Sequence, residues 1–245
     1  MTSDQFLLIL VIAGVAAVIK SIAGFGYPLL LLPALAQIID VVDAVLIIAP
    51  SNLFLNVGIA WKLREHHSRA TTLKVFTVAG LLGAGVGTLI LPLIPEQTFR
   101  LLLFVILVAF LFNRLSGLSF TMEDQTAHRL APIVGGIAGV FQGAAGVSGP
   151  IVTPWYLSVD IERDTFIYSI AAFFALTQIG QLGVAGVSGL YTSETILIGL
   201  ALIPLSLISL PIGAAIRERI SVSVFEKLVI GLLAISALTL LARLL

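Results

Sequence analysis

The composition of the chain is that of a membrane protein. Of its 245 residues, 59% are apolar or aromatic and 11% are charged, whereas soluble domains carry about 25% charged residues. A mean hydropathy of +1.14 leaves too little polar surface for a globule in water, so lipid must be the solvent for most of the chain. The net charge is zero, which argues against nucleic acid as a partner. The absence of Cys excludes disulfides and thiolate chemistry.

Eight apolar runs have about the length of a membrane crossing and predict an all-α polytopic membrane protein. The first run follows Asp4 with no preceding basic residues, so we expect a retained segment rather than a cleaved signal peptide. The first and fifth runs are too long for one plain crossing, and Gly and Pro interrupt each near its middle. The runs are 6–39, 41–61, 73–93, 99–112, 130–159, 166–187, 195–216 and 222–241.

The two interruptions resemble each other and indicate an internal duplication. Residues 23–28 read AGFGYP and residues 145–150 read AGVSGP, and a second proline follows each. The two breaks are 122 residues apart, and further landmarks keep their order: Asp43 matches Asp164 at an offset of 121, and Gly87 matches Gly213 at an offset of 126. The sequence therefore predicts a first repeat over 1–122 and a second over 123–245, within one integral membrane domain.

The distribution of Lys and Arg predicts how the repeats are inserted. If all eight runs cross once, seven basic residues lie on one side and five on the other. If the two broken runs are hairpins that return to the side where they start, the distribution becomes ten against two. The hairpin arrangement gives two inverted repeats, each with a broken or hairpin first segment followed by three transmembrane helices, and it places both termini outside.

The breaks themselves predict a binding site for a small anion. Non-helical backbone at membrane depth must line a cavity, and Pro28 and Pro150 suit the first turn of a helix that starts at each break. Helix starts favour anions. Lys20 and Gln142, each four residues before a break glycine, could supply an ammonium and an amide, although Lys20 could instead extend to the membrane interface. The candidate substrate-binding residues are Lys20, Gly24, Phe25, Gly26, Tyr27, Asn52, Asn56, Gln142, Gly146, Val147, Ser148, Gly149 and Gln178.

An enzyme is the weaker hypothesis. Residues 146–149 fit the Gly-x-Ser-Gly pattern of intramembrane serine proteases, but residues 186–189 fit it equally well. A serine nucleophile needs a base within hydrogen-bond reach, and we expect the three histidines, His66, His67 and His128, in connecting loops. No metal site, cofactor or catalytic residue is predicted, because no cluster of ligand residues and no nucleotide-binding loop is recognisable.

At these breaks the chain resembles the sulfite exporter TauE/SafE family, also described as toluene-sulfonate uptake permeases. The resemblance covers nearly the whole length and rests on residues 23–33, on their copy at 145–150 and on the duplicated order of spans. The chain departs from the family pattern at Tyr27 and Pro28, where further glycine is common. The resemblance implies transport of sulfite, sulfonates, sulfoacetate or thiosulfate across a bacterial cytoplasmic membrane.

Together these features predict a secondary membrane transporter that holds its anion between the two helix breaks near the midplane and works by alternating access. The expected partners are a small anionic substrate, membrane lipid and a coupling proton or cation, with the oligomeric state left open. A passive anion channel through the same site is the alternative. An intramembrane serine hydrolase at Ser148 is the third hypothesis.

Overall fold

The computed structural model describes residues 3–23, 26–69, 72–116, 122–159, 161–217 and 219, with 230–231, 234, 237–238 and 241 near the C-terminus. The regular structure of these residues is helical, and no strand occurs among them. This confirms the all-α prediction. Gly24 and Phe25 of the candidate site lie outside the described residues, as does most of the run 222–241.

The helices of the described residues follow the same order in both halves of the chain. A long helix is followed by a short one and then by long helices again. The first half contains α1 (Ser3–Ala23), α2 (Tyr27–Leu35), α3 (Val41–Lys62), a 3-10 helix (Arg64–Arg69), α4 (Leu73–Ile90), a second 3-10 helix (Leu91–Leu93) and α5 (Glu96–Ser116). The second half contains α6 (Asp124–Ala145), α7 (Gly149–Ser158), α8 (Arg163–Val187) and α9 (Ser193–Arg217).

Both long apolar runs break where glycine and proline predict. The first gap separates α1 from α2, and the second separates α6 from α7. Each short helix has its proline, Pro28 or Pro150, in the first turn, where a missing N–H leaves no helical bond unmade. With 9 and 10 residues, α2 and α7 are about 15 Å long or less, half of a membrane core.

The distribution of side chains is the reverse of that in a soluble protein. Five of the described helices are long and apolar enough to cross a membrane, and they include Gln5–Ile22, Val41–Lys62, Leu73–Leu93, Asp164–Val187 and Ser193–Ile216. Large apolar side chains such as Leu82 and Leu197 are exposed, whereas Lys20, Asn56 and Gln181 are fully buried. Lipid solvates such an exterior, and polar groups must then pair inside. The chain is therefore a multi-pass integral membrane protein.

The second broken segment returns to the end of the molecule where it starts. The backbone N–H of Met122, two residues before α6, donates to the carbonyl of Ser158 at the end of α7, over 2.8 Å. The start of α6 and the end of α7 therefore lie side by side. α6 and α7 form a hairpin, as the distribution of basic residues predicts.

The first broken segment also returns to the end of the molecule where it starts. α1, α3 and α9 run parallel to one another, so the N-terminal ends of these three helices lie at one end of the molecule. α2 also ends there, since only five residues separate Leu35 from Val41 at the start of α3. The residue pairs that fix these directions are Gly14 with Leu205, Ser21 with Gly213, Pro50 with Gly199 and Gly58 with Leu210.

Glycine allows α4 and α6 to pack backbone against backbone. Gly139 of α6 lies so close to the carbonyl of Gly80 that a Cβ would clash with it, and Gly143 lies in the same way against Ala84. The two helices run parallel, since residue numbers rise together along the contact. Small residues spaced by four let membrane helices approach this closely. This contact fixes α6, and therefore the second break, against α4.

Candidate functional site

The two breaks meet around one small cavity in the middle of the bundle. Its volume is about 10 Å³, which is room for about one water molecule. Asn52 stands at the middle of α3 and Phe174 near the middle of α8, so the cavity lies at mid-depth of both long helices. The lining residues are Lys20, Gly26, Pro28, Leu29, Asn52, Gln142, Gly146, Val147, Ser148, Gly149 and Phe174.

Lys20 places its side-chain amine at this cavity. Its side chain is completely buried, which rules out the interface-seeking conformation for the described structure. Its Nζ donates to Oδ1 of Asn52 over 2.8 Å and lies 5.0 Å from the ring centre of Phe174. None of the described residues that line the cavity is acidic. A buried cation without a counter-charge is costly, so the site is ready to receive a negative charge.

Asn56 and Gln178 lie behind the cavity wall rather than on it. Nδ2 of Asn56 points towards Oδ1 of Asn52 at 3.4 Å and donates to Oε1 of Gln178 over 3.3 Å. Both side chains are buried, and neither belongs to the cavity lining. The structure therefore places these two predicted ligands one helical turn away, where they orient the amide of Asn52.

The second break is held by hydrogen bonds within its own loop. Oγ of Ser148 donates to Oε1 of Gln142 over 2.9 Å, and Nε2 of Gln142 donates to the carbonyl of Gly146 over 3.3 Å. Gly146 ends α6 in the left-handed conformation, with φ of 66°, which glycine adopts without strain. Gln142 and Ser148 line the cavity, but their polar atoms bond to one another in this conformation.

The first break brings the start of α2 to the same cavity. Gly26 precedes α2 with φ of 105°, a conformation that requires glycine, and Gly26, Pro28 and Leu29 line the cavity. Tyr27 turns away from it, because its hydroxyl pairs with Oγ of Ser51 at 2.9 Å. With Gly149 in the lining as well, the starts of α2 and α7 both face the cavity, and their positive dipole ends favour an anion.

Three lining residues were missed by sequence reasoning: Pro28, Leu29 and Phe174. In the sequence, Pro28 indicates only the start of the helix that follows the break, and Leu29 is one of several apolar residues there. Phe174 is apolar and therefore carries no signal of its own. It follows Asn52 by 122 residues, the same offset that separates Pro28 from Pro150, so the repeat could have identified it as the partner of Asn52.

The environment of Ser148 does not suit a hydrolytic nucleophile. Its hydroxyl donates to an amide oxygen of Gln142, and an amide cannot act as the general base that a serine nucleophile needs. His66 and His67 lie in the 3-10 helix after α3. His128 lies in α6 rather than in a loop, which corrects the sequence prediction.

The fold and the cavity define a class of protein: a polytopic helical membrane protein in which two interrupted segments meet around a buried cation. The comparisons with known proteins name the family. A family model described as Sulfite exporter TauE/SafE matches residues 9–240, nearly the whole chain, and the chain belongs to this family. Membership implies a membrane transporter of sulfite or related sulfur anions. No curated protein and no solved structure matches the chain significantly.

Proposed function

We propose that the protein is a secondary transporter that carries a small sulfur anion such as sulfite, a sulfonate, sulfoacetate or thiosulfate. The anion is held between the two helix breaks near the membrane midplane. Lys20 neutralises its charge, Asn52 orients Lys20, and the starts of α2 and α7 provide backbone N–H groups. The observation that carries this proposal is the complete burial of Lys20 in a cavity shared by both breaks.

The size of the cavity favours a carrier over a passive channel. A space for about one water is smaller than a sulfur oxyanion and its hydration shell. Substrate therefore has to be admitted by a movement of the helices that line the cavity. A pore would need a continuous wet path through the same point.

The packing of the helices supports two inverted repeats over 1–122 and 123–245. α1 packs on α9 of the other half, and α6 packs on α4 of the other half. α3 and α8 pack on each other, and Asn56 bonds to Gln178, 122 residues further along. Rocking of one repeat against the other about the α3–α8 contact would expose the cavity to each side in turn. Both termini would face outwards from a bacterial cytoplasmic membrane.

The test is uptake of labelled sulfite and of a labelled alkylsulfonate into proteoliposomes, each competed with unlabelled thiosulfate and with a carboxylate of similar size. We expect saturable uptake that thiosulfate inhibits and the carboxylate does not. Preloading with unlabelled sulfite should accelerate uptake of labelled sulfite, because a carrier exchanges its substrate and a channel does not. Non-saturable flux without exchange would indicate the channel, and absence of flux in folded protein would contradict the proposed substrates.

A further inference from the structure

Among the described residues that line the cavity, none provides a negative charge to balance the amine of Lys20. The other polar and aromatic side chains of the described residues that line its cavity are neutral. They are the amide of Asn52, the ring of Phe174, and the side chains of Gln142 and Ser148.

Charged residues on the helices packed against α1 stand near the helix ends. On α3 these are Asp43 in the first turn and Lys62 in the last. On α9 they are Glu194 in the first turn and Arg217 at the end. Lys20 of α1 bonds to Asn52, which is nine residues from Asp43 and ten from Lys62, so neither of these lies beside the amine. Glu194 is likewise 19 residues before Gly213, the residue of α9 that packs on Ser21.

We propose that Lys20 is the proton carrier of the transporter: it takes up a proton together with the anion and releases that proton when the anion leaves. The inference rests on the proposed function and adds its coupling ion. A buried ammonium group with one amide oxygen and a ring face as its described side-chain partners lacks acceptors and a described counter-charge. A neutral amine needs no counter-charge and can still donate to Asn52. The proton binds at Nζ from the side to which the site is open.

The arriving anion changes this balance. An oxyanion supplies both the counter-charge and the additional acceptor oxygens that three ammonium N–H groups require. Each cycle then moves one proton with each anion in the same direction. No carboxylate is needed in this scheme, which agrees with the absence of acidic side chains among the described residues that line the cavity.

The test compares wild type with Lys20→Arg, whose guanidinium keeps its proton throughout the usable pH range. The apparent KM for labelled sulfite is measured in proteoliposomes between about pH 6 and about pH 9 in chloride-free buffer. Sulfite itself titrates near neutrality, but equally for both proteins. We expect the affinity of wild type to fall with rising pH by up to about tenfold per pH unit more than that of Lys20→Arg.

Identical pH profiles of the two proteins would overturn the proton proposal, while saturable sulfite uptake would still support the transporter. Absence of saturable uptake by wild type at any pH would contradict the transporter itself. If Lys20→Arg does not fold or does not transport, the comparison is replaced by calorimetry of sulfite binding to wild type, in two buffers of different ionisation enthalpy at alkaline pH. Uptake of close to one proton per bound sulfite is expected, and no proton uptake would overturn the proposal.

Discussion

Asn52 positions the amine of Lys20 by accepting its hydrogen bond. Its Oδ1 is 2.8 Å from the amine, and its orientation is set from behind by Asn56 and Gln178. A neutral amide holds the amine in place and supplies no counter-charge. A carboxylate at this position would hold the amine and supply a counter-charge.

Asn52→Asp is accordingly expected to form an internal ion pair with Lys20 and to repel an incoming anion. We predict that sulfite affinity falls about a hundredfold or more, because opposed like charges cost several kcal/mol. Calorimetric titration of the purified protein with sulfite measures the change. Asn52→Leu, of similar volume and without charge, is the control and should lose less affinity. Retained sulfite affinity in Asn52→Asp would show that the anion binds elsewhere.

The residue scale also shows what the sequence alone could predict. Lys20 stands out because a lysine inside an apolar run needs a partner, and the structure places it in the cavity with residues of both breaks. Phe174 could not be distinguished from an ordinary apolar side chain. The sequence predicts Asn56 and Gln178 as ligands, whereas the structure places both behind the cavity lining, because which way an amide points depends on neighbouring helices.

At the scale of elements, the close contact between α4 and α6 fixes the second break. The Gly-x-x-x-Gly-x-x-x-Gly pattern at 135–143 places a backbone groove along one face of α6, and α4 fills it. A methyl group in that groove must push the helices apart. The second break, which follows α6 directly, would then move with it.

Gly139→Ala tests this contact, because its new Cβ would meet the carbonyl of Gly80. We predict a loss of about 1 to 3 kcal/mol in stability, typical of overpacking, seen as a lower midpoint of thermal unfolding in detergent. Gly183→Ala, at an exposed position of α8, is the matched control, since nothing lies within 4 Å of its added Cβ. Equal midpoints for the two variants would argue that the α4–α6 contact is loose.

The positions of the breaks could be predicted from glycine and proline, and the hairpins from the distribution of basic residues. The points where the helices end at the membrane surface could not be predicted. α5 spans Glu96–Ser116, beyond the apolar run 99–112, and α6 begins at Asp124, before the run at 130. Polar end turns continue these helices, and hydropathy does not reveal them.

At the scale of the whole molecule, the two hairpins determine which ends face the same side. The 3-10 helix after Lys62 lies at the C-terminal end of α3. The turn after α8 lies at the opposite end, because the hydroxyl of Tyr191 donates to the carbonyl of Leu46. These two loops therefore belong on opposite sides of the membrane.

Single cysteines in this Cys-free chain test that arrangement. We predict that Ser68→Cys reacts with a membrane-impermeant maleimide only from the cytoplasmic side, and Ser188→Cys only from outside. Labelling is measured in intact cells and in inside-out vesicles, with detergent-permeabilised membranes as the control for reactivity. If both cysteines react from the same side, the hairpin topology is wrong and eight plain crossings replace it.

The position of the anion between the two breaks is tested most directly by sulfite binding to Lys20→Met, measured by calorimetry on the purified protein. If the anion lies between the two breaks against Lys20, affinity falls at least about tenfold, corresponding to about 1.5 to 3 kcal/mol for a charged hydrogen bond. Lys74→Met, the same change at an exposed position of α4, should bind sulfite like wild type. Unchanged affinity in folded Lys20→Met would contradict the placement of the anion at the breaks.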